Sequence, residues 1–209
     1  MSDTRERVLA AAIALFAERG YAGTSVRAIC EAAEANVNAV SYHFGGKQAL
    51  YQAIIDRIGD DRLASAQRLL GRPPRDVADL EARLTLFAEE TLVAHLREPG
   101  PLLILHAELQ QGFRNCDPSV VAGLGQHNEV LLGFLLAARH RRLLRKGVDI
   151  DIIAGGLLER LTNQVLYADL IASNYGRSIR DADYREHWTR QTIDLLLFGA
   201  ARPKQETTG

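Results

Sequence analysis

Cysteine is scarce in this chain. Only Cys30 and Cys116 occur among 209 residues, far apart and outside any CxxC spacing. That excludes a disulfide framework or zinc module and fits two small apolar packers in a reducing compartment. Charge of one sign is missing too, since 25 Lys and Arg stand against 26 Asp and Glu. No global field attracts nucleic acid or membrane, so any charged site is a local patch. No uninterrupted apolar run reaches the roughly 18 residues of a membrane span. The run Val8 to Ala17 follows Arg5 and Arg7 as in a secretory leader, but Asp3 and Glu6 flank it and Glu18-Arg19-Gly20 replaces a small-residue cleavage site. A cytoplasmic protein is expected. Proline is absent before Pro73, and Pro74, Pro99, Pro101, Pro118 and Pro203 read as helix boundaries. What is present is the composition of a globular chain with a sizeable core, 47% hydrophobic and 24% charged.

Apolar residues recur at i, i+3, i+4 and i+7 and few segments alternate with period two, so an all-α fold is expected. A first helix starts at Asp3, with Glu6 closing a capping box, buries Leu9, Ala12, Ile13 and Phe16, and stops at Gly20. Thr24 or Ser25 caps a short second helix that turns Val26, Ile29, Cys30 and Ala33 inward. Asn36 caps a short third helix that buries Val40 and Phe44 and ends at Gly45-Gly46. A long fourth helix from Lys47 carries Leu50, Tyr51, Ile54, Ile55 and Ile58 on one face. Longer helices follow at roughly 77–97, 102–113, 118–143, 149–174 and 182–199. The expected division is an N-terminal three-helix helix-turn-helix domain over 1–47, a C-terminal helical bundle over 48–200, and a flexible tail over 201–209.

Thr24 to Lys47 is the informative stretch. Two short helices joined by a tight turn, the second presenting Val37, Asn38, Ser41 and Tyr42 while burying Val40 and Phe44, suit a recognition helix for the DNA major groove. Many helical cores contain such pairs, so spacing alone leaves DNA binding and a purely structural role both open.

The runs Thr24-Ser25-Val26-Arg27-Ala28-Ile29 and Val40-Ser41-Tyr42-His43-Phe44-Gly45-Gly46-Lys47-Gln48-Ala49-Leu50 resemble the DNA-binding domain of the tetracycline-repressor (TetR) family of bacterial regulators. Leu15-Phe16-Ala17-Glu18-Arg19-Gly20-Tyr21 is similar to the end of that family's first helix. The resemblance covers about the first 60 residues. It implies phosphate contacts by Thr24, Ser25, Tyr42, His43 and Lys47, groups that position a protein on a duplex without reading it. Arg27, Asn36, Val37, Asn38 and Ser41 are then left for base edges. One departure stands out. The family usually places glycine in the turn where this chain has Glu34, and because glutamate is poor in a left-handed backbone, a differently built turn and a slightly repelled phosphate are expected. Residues 1–50 hold five basic and five acidic side chains, so affinity is expected to lean on placed contacts and dimer avidity.

A recognition helix this short reads few base pairs, which calls for two copies on a palindromic operator. Ile152, Ile153, Leu157, Leu158, Leu161, Val165, Leu166 and Leu170, with Ile193, Leu195, Leu196, Leu197 and Phe198, supply apolar surface for both a core and a homodimer partner in the last two long helices. The family resemblance implies the same interface and a small-molecule effector among the middle helices, whose binding releases the operator. Polar residues available to it are His95, His106, Glu108, Gln110, Gln111, Asn128, Asn163 and Gln164. The basic run Arg139-His140-Arg141-Arg142, with Arg145 and Lys146, reads as a solvated helix terminus. An enzyme is the weakest reading, because His95, His106, Glu108, Cys116 and His127 follow no HExxH, CxxC or triad spacing. No metal or cofactor is expected. The reading adopted is a TetR-like repressor released by an effector; an architectural, DNA-organising protein without effector is the alternative.

Overall fold

The computed structural model describes residues 2–199, with side chains from residue 4 onward; the described residues contain no strand. The expected cap by the Asp3 side chain and the tail over 201–209 lie outside what is described. Ten helices follow in order: α1 (Ser2–Gly23), α2 (Val26–Ala32), α3 (Ala39–Phe44), α4 (Lys47–Leu70), α5 (Val77–Arg97), α6 (Pro99–Gln111), α7 (Pro118–His140), α8 (Ile150–Leu166), α9 (Ala168–Tyr175) and α10 (Ala182–Phe198). The residues form two compact units, one of residues up to Gly71 with Val93–Leu131, the other of Arg72–Leu92 with the described residues from Leu132 on.

The first unit is built on the predicted stripes. Leu9, Ala12 and Phe16 of α1, Ile29 and Cys30 of α2, Val40 of α3 and Leu50, Tyr51, Ile54, Ile55 and Ile58 of α4 are all buried in one cluster, joined by Ile104 and Leu105 of α6. Full burial of each such aliphatic side chain contributes about 1.5–3 kcal/mol, which compensates for the poor intrinsic stability of helices as short as α2 and α3. Gly20, at φ 70 and ψ 173, ends the regular part of α1 as expected. Farther along, α6 lies so close to α1 that a Cβ at Gly100 would meet Ile13 Cγ2 at 2.8 Å.

In the second unit, Ile153, Leu157 and Leu161 of α8 and Ile193 and Leu197 of α10 are buried, and Gly156 faces Leu196 closely enough that a Cβ there would lie 3.6 Å from its methyl. Glu89 of α5 ties in α10, accepting from Arg185 Nε at 2.7 Å and from Thr189 Oγ1 at 3.1 Å.

Several helix limits differ from expectation. Pro99 and Pro101 lie inside the first turn of α6, where an amide has no intrahelical partner and proline costs nothing. The helix expected over 149–174 breaks at Tyr167, whose φ of −105 and ψ of 18 separate α8 from α9 without proline or glycine. In α7, which ends at His140, an 18-residue window reaches a mean hydropathy of 1.3, making this helix long and apolar enough to cross a membrane by length and composition. Counting uninterrupted apolar residues misses it, because Gln126-His127-Asn128-Glu129 divides the helix.

Candidate nucleic-acid interface

The turn between α2 and α3 is set by local hydrogen bonds. Ser25 caps α2, its Oγ accepting from Ala28 N at 3.1 Å. At the other end Glu34 N donates to Glu31 O and Ala35 N donates to Cys30 O at 2.9 Å, with Glu34 at φ 48. This is a Schellman motif with glutamate at the left-handed position. The differently built turn expected from Glu34 is therefore not formed; two backbone bonds hold the glutamate where glycine would sit. Asn36 does not cap α3 directly. Its Oδ1 accepts from Asn38 N at 2.9 Å, and Asn38 occupies the cap position. The chain leaves α3 through Gly45 (φ 84) and Gly46 (φ 127), conformations that favour glycine, and enters α4 at Lys47.

Ala39 and Val40 lie in the core, whereas Val37 and Tyr42 are 58% and 72% exposed and Asn38 and Ser41 are exposed beside them. Phe44 packs partly against the core and Arg5 lies over its ring at 4.9 Å. His43 is half-buried, its ring 4.9 Å from that of Tyr42. Lys47 Nζ sits 4.2 Å above the Tyr21 ring, and partial burial lowers its pKa. The Tyr21 ring packs on Tyr51 at 4.8 Å and its hydroxyl donates to Gln48, so the cation at the start of α4 is held by the core aromatics of α1 and α4. The sequence reading missed this support for Lys47, for which the only sequence signal was an aromatic residue after Gly20.

Two expected contacts are placed otherwise. Thr24 is buried, and its hydroxyl donates to Leu15 O at 3.1 Å and Gly20 O at 2.9 Å, covering the carbonyls at the end of α1. Its side chain is not presented to a phosphate. Arg27 is exposed but paired with Glu31 at 2.8 Å one turn on, a solvent-screened ion pair that a base edge would have to displace. The basic run from Arg139 to Arg142 is exposed at and beyond the end of α7.

The polar residues expected around an effector do not converge. Glu108 is 1% exposed and its Oε1 accepts from the Tyr51 hydroxyl at 2.7 Å and from Asn115 Nδ2 at 2.8 Å. Gln52 of α4 closes the same network, donating to Asn115 O at 2.6 Å and accepting from Asp117 N. Glu108 is thus a tether between α4, α6 and the following loop. Burial and the neighbouring Glu108 push the Cys116 thiol up to about 12, leaving it inert at neutral pH. His106 is within 2.9 Å of Gln110 on the surface of α6, Asn128 and Asn163 are exposed, and Gln164 and His95 are buried. A groove of about 690 Å³ along α1, α4 and α6 is lined by Leu9, Ile13, Ile54, Ile58, Arg57 and Glu6 among others, and by none of the effector candidates. Among the described residues no group of three or more His, Cys, Asp or Glu side chains is arranged to hold a metal ion.

A trihelical head with a short, one-sided α3 and a cation at the start of α4 defines a helix-turn-helix DNA-binding protein. Residues 8–54 match the model of the bacterial regulatory proteins of the tetR family. The HTH-type transcriptional regulator MT3513 of Mycobacterium tuberculosis is 46% identical over 171 residues, covering 76% of this chain and 85% of that relative. The HTH-type transcriptional repressor NicS of Pseudomonas putida is 29% identical over 205 residues, covering 95% and 93%. The fold matches the crystal structure of the TetR-family regulator PfmR from Thermus thermophilus with a TM-score of 0.72 at 23% identity, over 95% of this chain and 98% of that one. The chain belongs to the TetR family. It is a DNA-binding transcriptional regulator and not an enzyme.

Proposed function

We propose that the protein is a cytoplasmic repressor that binds a palindromic operator as a homodimer and leaves it when a small molecule binds. Residues 1–47 act as the reading head and residues 48–200 as the effector and dimer portion, the last long helices α8 and α10 meeting their counterparts in the partner. The observation that carries the reading is the division of α3 and the two residues before it, with Ala39 and Val40 locked in the core while Val37, Asn38, Ser41 and Tyr42 stand exposed. Ser25, Tyr42, His43 and Lys47 surround that surface as phosphate ligands, and Asn36, Asn38, Ser41, Val37 and, once freed from Glu31, Arg27 face base edges. Repression is supported by NicS, whose name describes a repressor.

The test is binding of the purified protein to its own promoter region by fluorescence anisotropy across a salt series. Lys47→Ala is expected to weaken binding similarly on all sequences and to reduce the salt slope by about 1. Tyr42→Ala weakens binding on all sequences, whereas Asn38→Ala changes which sequence is preferred, by about 1–3 kcal/mol at the affected base pair. Unchanged binding by both Lys47→Ala and Tyr42→Ala overturns the assignment.

A further inference from the structure

Lysine ends a flexible stem of methylenes, and an ammonium that nothing fixes gives up that freedom only when it meets a phosphate. Lys47 has given it up beforehand. Its Nζ stands 4.2 Å above the Tyr21 ring, and among the described residues no ion pair reaches it. Whatever holds the Tyr21 ring therefore holds the cation. Part of that hold is core packing, by Phe16 and Tyr51, whose ring centroids lie 5.9 and 4.8 Å from that of Tyr21. The other part is polar, because the Tyr21 hydroxyl donates to Gln48 Oε1. An amide that accepts at its oxygen still has two hydrogens to place. Gln48 Nε2 donates to the main-chain oxygen of Asn115 at 3.0 Å, 67 residues further along the chain.

Asn115 lies in the loop between α6 and α7, outside the helix-turn-helix, and other bonds anchor that loop without Gln48. Its oxygen also accepts from Gln52 Nε2 at 2.6 Å, its Nδ2 donates to the buried Glu108 at 2.8 Å, and Asp117 N donates to Gln52 Oε1 at 3.1 Å. Just upstream, Gly112 and Phe113 have φ of 67 and 57. Two successive left-handed residues, one of them phenylalanine, persist only where the surroundings dictate the path of the chain. Here Phe113 N donates to Glu108 O at 2.9 Å and Cys116 N donates to Phe113 O at 3.1 Å. The Asn115 oxygen is a fixed point.

We infer that Tyr21, Gln48 and Asn115 are positioning residues for the cation at the start of α4: the α6–α7 loop holds Gln48, Gln48 orients the Tyr21 ring, and the ring stations Lys47 for a phosphate. The gain is preorganisation, since DNA meets an ammonium whose place is already set. None of the three needs to touch the duplex. The effect on DNA rests on the reading of Lys47 as a phosphate ligand; the positioning itself does not.

Two measurements on the full-length protein distinguish them. In spectra of protein carrying isotope-labelled lysine, the ε-methylene protons of Lys47, assigned with Lys47→Arg, are expected upfield of an unrestrained lysine, because they lie over an aromatic face. Tyr21→Phe, which deletes only the hydroxyl, Gln48→Met and Asn115→Ala are each expected to move that resonance toward the unrestrained position. A resonance unmoved in Tyr21→Phe and Gln48→Met overturns the inference, and those two variants carry the test should Asn115→Ala fail to fold. In anisotropy titrations on the protein's own promoter region, Gln48→Met is expected to weaken binding about three- to tenfold. In a Lys47→Ala background it has no further effect, because it acts only through the ammonium. A further loss in that background marks a DNA contact or a structural role of Gln48 itself and overturns the inference, as does unchanged binding in Gln48→Met where Lys47→Ala weakens it. A moved resonance with DNA binding that Lys47→Ala leaves as it was leaves the positioning standing and removes the phosphate role of Lys47.

Discussion

Glu34 pays a conformational penalty at a position where the rest of the turn offers no alternative. A left-handed backbone costs a residue with a Cβ about 1–2 kcal/mol, and glycine recovers most of that after its own loss of chain entropy. Glu34→Gly is therefore expected to raise stability by about 0.5–1 kcal/mol in urea unfolding. Removing the carboxylate leaves DNA binding equal or tighter. Thr24 makes the opposite case. Its hydroxyl donates twice to the end of α1, so Thr24→Val is expected to cost about 1 kcal/mol. The salt slope of DNA binding should stay as in the parent; a slope reduced as in Lys47→Ala would return Thr24 to the phosphate contacts. Residue type alone could not separate the roles of Thr24 and Ser25, because both are good caps. Only the kink at Gly20, which turns free carbonyls toward Thr24, assigns one to each.

At the scale of elements, the stripe Leu50, Tyr51, Ile54, Ile55, Ile58 was legible because burial of a helix face imposes its own period, and so were α5 and α10, whose observed limits lie within one residue of the expected ones. The break at Tyr167 was not, since no proline or glycine marks it. The burial of His95 has a thermodynamic consequence. His95 is held at about 4 in the folded chain against 6.5 when free, so below pH 6.5 the unfolded chain takes up a proton that the native one refuses. Stability is present in full above pH 6.5 and is lost as pH falls toward 4, by up to about 3 kcal/mol for a group this buried. His95→Gln is expected to flatten the unfolding midpoint across that window; a profile as steep as the parent's would place the acid sensitivity elsewhere.

For the whole molecule, the unanswered question in a single chain is what covers its apolar surface. Within α8, Ile153, Leu157 and Leu161 face the core, yet Ile152 on the same helix is 72% exposed, and on α10 Leu195 and Phe198 are 43% and 49% exposed beside buried Ile193 and Leu197. A helix pair that is apolar on two faces has one more face than its own core uses. Gly155 adds a place on α8 with no neighbour within 4 Å of a Cβ, where a partner helix can approach closely. Under the proposed function the occupant is a second copy of the chain, which a short reading helix also calls for, since two heads on one duplex gain avidity of about 10²–10⁴ over one. Ile152→Asp and Phe198→Asp are therefore expected to shift the protein from dimer to monomer in sedimentation-velocity experiments while the helical circular-dichroism signal is retained. Binding to the full palindrome should fall by about 100-fold or more, and binding to an isolated half-site should not change, because the head is untouched. A sedimentation coefficient that stays dimeric in both variants would move the interface away from α8 and α10, and an equal loss on half-site and palindrome would show that the substitutions damaged the head instead of separating the pair.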